Sequence, residues 1–175
     1  MSTTTQLCTF TVCDLLFGVE VTQVQEVIRY QNMTCVPLAS NVISGLINLR
    51  GQIVTAVDLR ICLGLPPRER DELPMNVVVR GVDGSVSLLV DSIGDVIDVS
   101  SDWLEAPPPT MHAAQRDVID AICKLPERLL LVLDPACAIQ IATRVCEAAF
   151  AGAGRSATTG TGVQTRKNSH AGSVS

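Results

Sequence analysis

The 175-residue chain has few of the residues that usually perform chemistry or bind nucleic acids. It contains two histidines and only five aromatic side chains, namely three Phe, one Tyr and one Trp. It has no CxxC pair and no Gly-Lys-Ser/Thr phosphate loop. Its net charge of −5 is repelled by phosphate backbones, and few rings are available for base stacking. These absences argue against nucleic-acid binding, a structural zinc site and a nucleotide-binding loop.

The chain also lacks a long apolar run. No stretch of 18 apolar residues occurs, since the C-terminal apolar region is interrupted by Asp134, Pro135 and Arg144. No basic segment precedes an apolar one at the N-terminus, so no signal peptide is indicated. The seven cysteines, an odd number, lie mostly in apolar runs and favour buried free thiols in a reducing compartment. We therefore expect a cytoplasmic protein without direct membrane insertion, metal or cofactor.

What the chain has in abundance is aliphatic residues. Hydrophobic residues make up 47%, and the mean hydropathy is +0.33. That composition excludes a disordered chain, and the length favours one domain or two small fused ones. We divide the chain into a flexible lead at 1–6, a folded body at 7–152 and a Gly/Ser/Thr-rich tail at 153–175, which we expect to be disordered.

The body predicts mainly short strands. Runs at 7–12 and 15–19 flank Cys13-Asp14, and Asp83-Gly84 indicates a second hairpin. We count nine or ten strands and one or two helices, which is typical of small β-barrels or a sandwich. The charged, Pro-rich residues 66–74 predict the boundary between two halves.

A helix is predicted near the end of the body. Asp134 stands where an N-cap is expected, and Pro135 occupies the first helical position. Over 136–149, one face of this helix would carry apolar residues at helical spacing. These residues are Cys137, Ile141, Val145 and Ala149.

Two alternative functions are open, an enzyme and a structural protein. A small acidic hydrolase would use Asp91, Asp95 and His112, and it requires these side chains to converge in one pocket. The same acidic stretch, with Asp98, does not fit a calcium-binding loop. A self-associating structural β protein is the other alternative.

One segment is more specific. Gly45-Leu-Ile-Asn-Leu-Arg50-Gly51 is followed by Val57-Asp-Leu-Arg60 and preceded by Val24-Gln-Glu-Val27 and Phe17-Gly-Val19. Arg50 ends an apolar run, where arginine usually pairs with a carboxylate, and Glu26 is a candidate. Together these motifs resemble the CheW-like family over about residues 7–147. Thr55 departs from the family, which often has Pro there.

The resemblance implies a mainly β fold of two SH3-like five-stranded β-barrel subdomains with short helices. It also implies a non-enzymatic protein that links the cytoplasmic tip of transmembrane chemoreceptors to the regulatory domain of a CheA-type histidine kinase, at membrane-associated receptor arrays. Receptor helices would dock in a groove between the barrels. The resemblance implies partner-binding roles for six residues. Val21, Val24, Glu26 and Val27 match groove or coupling positions, Arg50 matches a position important for signalling, and Gly45 lies beside it. We expect Glu26 and Arg50 to lie close together.

Overall fold

The computed structural model describes residues 3–37, 39–81, 84–141 and 143–144. It contains short 3-10 turns at Val21–Gln23 and Ser101–Trp103, and a C-terminal helix, α3, over residues 135–141 and 143–144. The other elements are β1 (Thr4–Val12), β2 (Leu15–Glu20), β3 (Val24–Ile28), β4 (Ile43–Leu49), β5 (Gln52–Asp58), α1 (Leu59–Cys62), β6 (Met75–Gly81), β7 (Gly84–Val90), β8 (Ser92–Ser100), β9 (Leu104–Glu105), α2 (Ala113–Arg116), β10 (Ile119–Lys124) and β11 (Leu129–Leu133).

Tight turns join several neighbouring strands. Cys13 and Asp14 both have positive φ, 48° and 64°, as a two-residue hairpin with the right-handed strand twist requires. Gly81 pairs with Gly84 at the end of the β6–β7 hairpin, where a turn was predicted, although residues 82–83 lie outside the described ranges. Local turn chemistry therefore determines these connections.

The strands form two sheets. The terminal sheet has the order β8-β1-β2-β11-β10-β9, and the middle sheet has the order β3-β6-β7-β5-β4. Each sheet contains one parallel pair, β2 with β11 and β5 with β7. A mainly β fold with two β subdomains is thus confirmed, but one sheet has six strands rather than five because the two-residue β9 pairs with β10.

Two predicted limits, the subdomain boundary at 66–74 and the flexible lead at 1–6, differ from the structure. Residues 66–74 connect α1 to β6 within the middle sheet, and they do not separate the sheets. The chain instead changes sheet between β2 and β3 and again between β7 and β8. Residues 4–6, expected in the flexible lead, belong to β1 because they pair with residues 98–100 of β8. The predicted tail at 153–175 lies outside the described residues.

The core has three parts. A large shared core combines residues from both sheets, such as Phe10 and Phe17 from the terminal sheet and Val77 and Leu88 from the middle sheet. The two phenylalanine rings stack, with centroids 6.0 Å apart. Each sheet also has a small core on its opposite face. Both faces of the central strands are therefore apolar, which explains the high aliphatic content.

The helix α3 follows β11 of the terminal sheet and packs into the core that the two sheets share. The Asp134 carboxylate accepts a hydrogen bond from the Ala136 amide at 2.9 Å, as predicted for an N-cap. Ala138 is fully buried in the shared core, with Ile139 and Ile141 packed against it. Cys137, expected on the apolar face, is only half-buried, while residues 145–149 of the predicted helix lie outside the described ranges.

Candidate partner-binding site

Glu26 and Arg50 are in contact, as predicted. The Arg50 Nη2 donates to Glu26 Oε2 at 3.1 Å. Glu26 lies on β3 and Arg50 follows β4, and these strands are the two opposite edges of the middle sheet. The ion pair therefore joins the edges of one strongly curved sheet. The Glu26 side chain is 16% exposed but the Arg50 side chain is 82% exposed, so the pair presents a cation to solvent.

A second contact holds the same edges. Thr34, in the connection after β3, forms an isolated antiparallel bridge with Leu46 of β4. The Thr34 amide donates to the Leu46 carbonyl at 2.8 Å, and the Leu46 amide donates to the Thr34 carbonyl at 2.9 Å. Backbone pairing thus fixes the β4 edge independently of the ion pair.

The position of Arg50 is set by a strained turn. Arg50 and Gly51 have φ values of 51° and 86°, as a type I′ hairpin turn requires. The Asn48 side chain accepts a hydrogen bond from the Gly51 amide at 2.9 Å. The Arg50 backbone is therefore held by the β4–β5 hairpin rather than by its contact with Glu26.

The predicted valines face away from Glu26. Val24 and Val27 pair with residues of β6 that belong to the shared core, whereas Glu26 pairs with Val78 of the small core. A register shift between Val24 and Glu26 places the two valines on the same face. Val24 packs against the shared core and Val27 is 37% exposed. Val21 is half-buried in the preceding 3-10 turn. The four predicted residues on or beside β3 thus lie on two faces of that strand.

Gly45 is buried and does not form part of an exposed surface. A Cβ at this position would lie 2.8 Å from the Thr34 carbonyl oxygen and 2.9 Å from the Met33 Cβ. The glycine allows the connection after β3 to approach β4 closely. Its role in the structure is to permit the Thr34–Leu46 bridge.

A groove lies elsewhere on the middle sheet. It has a volume of about 710 Å³ and runs between α3 and the strands β5 and β7, with Ile53, Val86 and Ile139 among its lining residues. The Ile53 side chain is the most exposed of the large apolar residues described. None of the six predicted partner-binding residues lines this groove. Sequence reasoning missed it because α3 and β5 are 80 residues apart in the chain.

The residues of the hydrolase alternative are not brought together. The Asp91 carboxylate accepts hydrogen bonds from Arg60, Arg68 and the Cys13 amide. Asp95 and His112 are exposed, and no hydrogen bond or ion pair within the described ranges joins any two of the three. An aspartate held by two guanidinium groups is not available as a base, so the geometry gives this alternative no support.

The cysteines and acidic residues form no metal centre in the described part of the chain. The six cysteines described there are free thiols, of which Cys8, Cys62 and Cys123 are buried. Burial, with a smaller contribution from the Asp58 charge, raises the pKa of the Cys62 thiol to about 11. No group of three or more His, Cys, Asp or Glu side chains in these ranges could hold a metal ion. Of the described helices, none is long and apolar enough to cross a membrane.

Comparison with known proteins identifies the family. A family model described as the CheW-like domain matches residues 6–142. The chain belongs to the CheW-like family. It is a chemotaxis coupling protein, a scaffold rather than an enzyme.

Individual relatives agree with this assignment. The chain is 33% identical over 118 residues to the chemotaxis protein CheW of Bacillus subtilis (strain 168), covering 67% of this chain and 76% of that protein. It is 27% identical over 133 residues to CheW of Treponema pallidum (strain Nichols), covering 74% and 78%. The crystal structure of the scaffolding protein TtCheW from Thermoanaerobacter tengcongensis shares the fold, with a TM-score of 0.70 at 24% identity over 78% of this chain and 92% of that one.

Proposed function

We propose that this CheW-like protein links the cytoplasmic tip of transmembrane chemoreceptors to the regulatory domain of a CheA-type histidine kinase. Family membership and the scaffold role support this proposal. The protein would work in the cytoplasm at membrane-associated receptor arrays. It would bind both partners through apolar and charged surface groups without performing chemistry.

The observation that carries the proposal is the asymmetric exposure of the Glu26–Arg50 pair. Glu26 is largely covered and holds one nitrogen of the guanidinium, while most of Arg50 remains open to a partner. A guanidinium whose orientation is fixed in advance loses less freedom when it binds a partner carboxylate or carbonyl group. We therefore assign Arg50 to partner contact and Glu26 to orienting it.

Three valines on or just before β3, the strand that carries Glu26, would supply apolar contacts. Val21, Val24 and Val27 are partly exposed on or beside the face of β3 that adjoins the shared core. An amphipathic receptor helix docked on this face would cover them, and full burial of a valine contributes about 1.5–3 kcal/mol. Gly45 would act indirectly, because it keeps the connection after β3 against β4.

Replacement of Arg50 tests the proposal. An exposed ion pair contributes about 0–1 kcal/mol to folding, so Arg50→Ala should leave the protein folded. We expect it to weaken assembly of a ternary complex with a chemoreceptor and a CheA-type kinase from the same genome, and to lower kinase autophosphorylation. Co-sedimentation with receptor-containing vesicles and phosphate incorporation from ATP measure the two effects.

Arg128→Ala is the matched control, because Arg128 is an exposed arginine in the connection before β11 on the terminal sheet. It should bind like the unmodified protein. The Val27→Asp variant tests the apolar face separately and should weaken receptor binding. If Arg50→Ala and Val27→Asp both assembled and activated kinase normally, the assignment of Arg50 and of the β3 valines to partner contact would be wrong.

A further inference from the structure

Arg68 lies in the Pro-rich connection that sequence analysis singled out, and its side chain is only 8% exposed. Each of its three nitrogens has an acceptor. Nε donates to Asp91 Oδ1 at 2.9 Å, Nη1 to Asp58 Oδ2 at 2.6 Å and Nη2 to the Leu89 carbonyl at 3.0 Å. The guanidinium therefore holds the ends of β5 and β7 together.

Asp91 extends this contact to the terminal sheet. It is the residue between β7 of the middle sheet and β8 of the terminal sheet. Its Oδ2 accepts a hydrogen bond from the Cys13 amide in the β1–β2 turn at 2.7 Å, and its own amide donates to the Thr11 carbonyl at 2.9 Å. Arg60 of α1 adds a bidentate contact, with distances of 2.7 Å and 2.9 Å. One carboxylate thus joins a turn of the terminal sheet to α1 and the connection of the middle sheet.

Charge and geometry add a directional contact to the shared core. Apolar burial is itself non-directional, and a core specifies the angle between two sheets only through the shape fit of its side chains. Paired guanidinium and carboxylate groups are directional. Two arginines face three acids, Asp58, Asp91 and the more exposed Glu72, so both arginine charges are already neutralised and no positive charge is left for an anion.

We propose that Arg68 is a positioning residue that fixes the orientation of the terminal sheet relative to the middle sheet through Asp91. The connection at 66–74 acts as a strap: it leaves the middle sheet, reaches the β1–β2 turn and returns. The inference does not depend on the proposed partners. It concerns any surface to which both sheets contribute.

The test compares Arg68→Lys with Arg70→Lys in the full chain. Lysine keeps the charge but cannot reach three acceptors in a planar fork. Arg70 is an exposed arginine on the same strap. Amide residual dipolar couplings, measured in a dilute alignment medium, report the orientation of each sheet.

In the unmodified protein and in Arg70→Lys, one alignment tensor should fit both sheets. In Arg68→Lys, the couplings of each sheet should still fit the structure of that sheet, but the two sheets should require different alignment tensors. If one tensor fitted both sheets of Arg68→Lys as well as it fits the unmodified protein, the proposal would be overturned. Separate tensors in the unmodified protein would overturn it too.

Hydrogen exchange in the unmodified protein gives a second measurement, which does not depend on the folding of Arg68→Lys. A hydrogen bond to a charged group should slow exchange of the Cys13 amide about 10- to 100-fold relative to an open turn. The Asp91→Asn variant, which keeps the side-chain shape, should remove most of that protection. Exchange of the Cys13 amide at the rate of an open turn in the unmodified protein would refute the inference.

Discussion

The Gly45→Ala variant separates a structural role for this glycine from direct partner contact. The new Cβ would lie 2.8 Å from the Thr34 carbonyl oxygen and 2.9 Å from the Met33 Cβ. Ordinary contacts begin near 3.4 Å, so the connection after β3 must retreat by several tenths of an ångström. The nearest atom belongs to the backbone and cannot rotate away as the end of a flexible side chain could.

The expected cost follows from two effects. Overpacking a well-packed site costs about 1–3 kcal/mol. Loosening the two hydrogen bonds between Thr34 and Leu46 costs about 0.5–1.5 kcal/mol for each bond that is lost. With one of these two bonds lost, we expect the two effects together to lower the free energy of unfolding by about 2–4 kcal/mol. With an m-value of about 2 kcal/mol per molar urea, the midpoint should fall by roughly 1–2 M.

Urea unfolding followed by circular dichroism measures this change. Gly64→Ala is the matched control: Gly64 has positive φ, 69°, as Gly45 does at 157°, but a Cβ at Gly64 would meet nothing within 4 Å. It should cost only the backbone strain, about 1–2 kcal/mol. Equal midpoints for the two variants would refute the close-approach argument. Loss of kinase binding by Gly45→Ala at unchanged stability would show instead that Gly45 contacts the partner.

The remaining predictions concern ionisable groups. Partial burial alone would raise the pKa of Asp91, but its hydrogen bonds from Arg60 and Cys13 and the charges of both arginines outweigh burial and lower it. Its stabilising effect is therefore complete above the unfolded pKa and is lost as pH falls through the folded pKa. Urea midpoints between pH 3 and pH 6 should rise with pH less steeply in Asp91→Asn than in Asp95→Asn or the unmodified protein, and parallel curves would contradict this. A disulfide reagent at pH 8 should modify the exposed Cys35 thiol quickly but Cys62 only after unfolding, because burial raises the pKa of Cys62 to about 11. Rapid modification of Cys62 in the folded protein would show that the site opens.

Local features could be predicted because they depend on neighbouring residues. The hairpin at Cys13-Asp14 and the N-cap at Asp134 both rest on interactions within a few residues. The Glu26–Arg50 contact spans 24 residues. It was predictable only because an arginine at the end of an apolar run needs a carboxylate, and few acidic residues lie in this part of the chain.

The assignment of strands to sheets could not be predicted in the same way. Strand propensity reports that a segment is buried, but it does not identify the strand beside it. The parallel pairs β2 with β11 and β5 with β7 join segments far apart in sequence, and no turn motif marks them. Residues 66–74 were predicted to be a boundary because they are charged and rich in proline. Composition does not reveal that Arg68 in this connection turns inward to Asp58 and Asp91.

The order of the strands has a consequence for synthesis on the ribosome. All strands of the middle sheet come from residues 24–90, whereas the terminal sheet needs both residues 4–20 and residues 92–133. Between the emergence of β2 and that of β11, translation at about 5–20 residues per second takes roughly 5–20 seconds. During that time Phe10 and Phe17 have no partners from β10 or β11. Nascent chains should therefore acquire a protease-resistant middle sheet first, with the N-terminal hairpin exposed to chaperones until the last strands arrive.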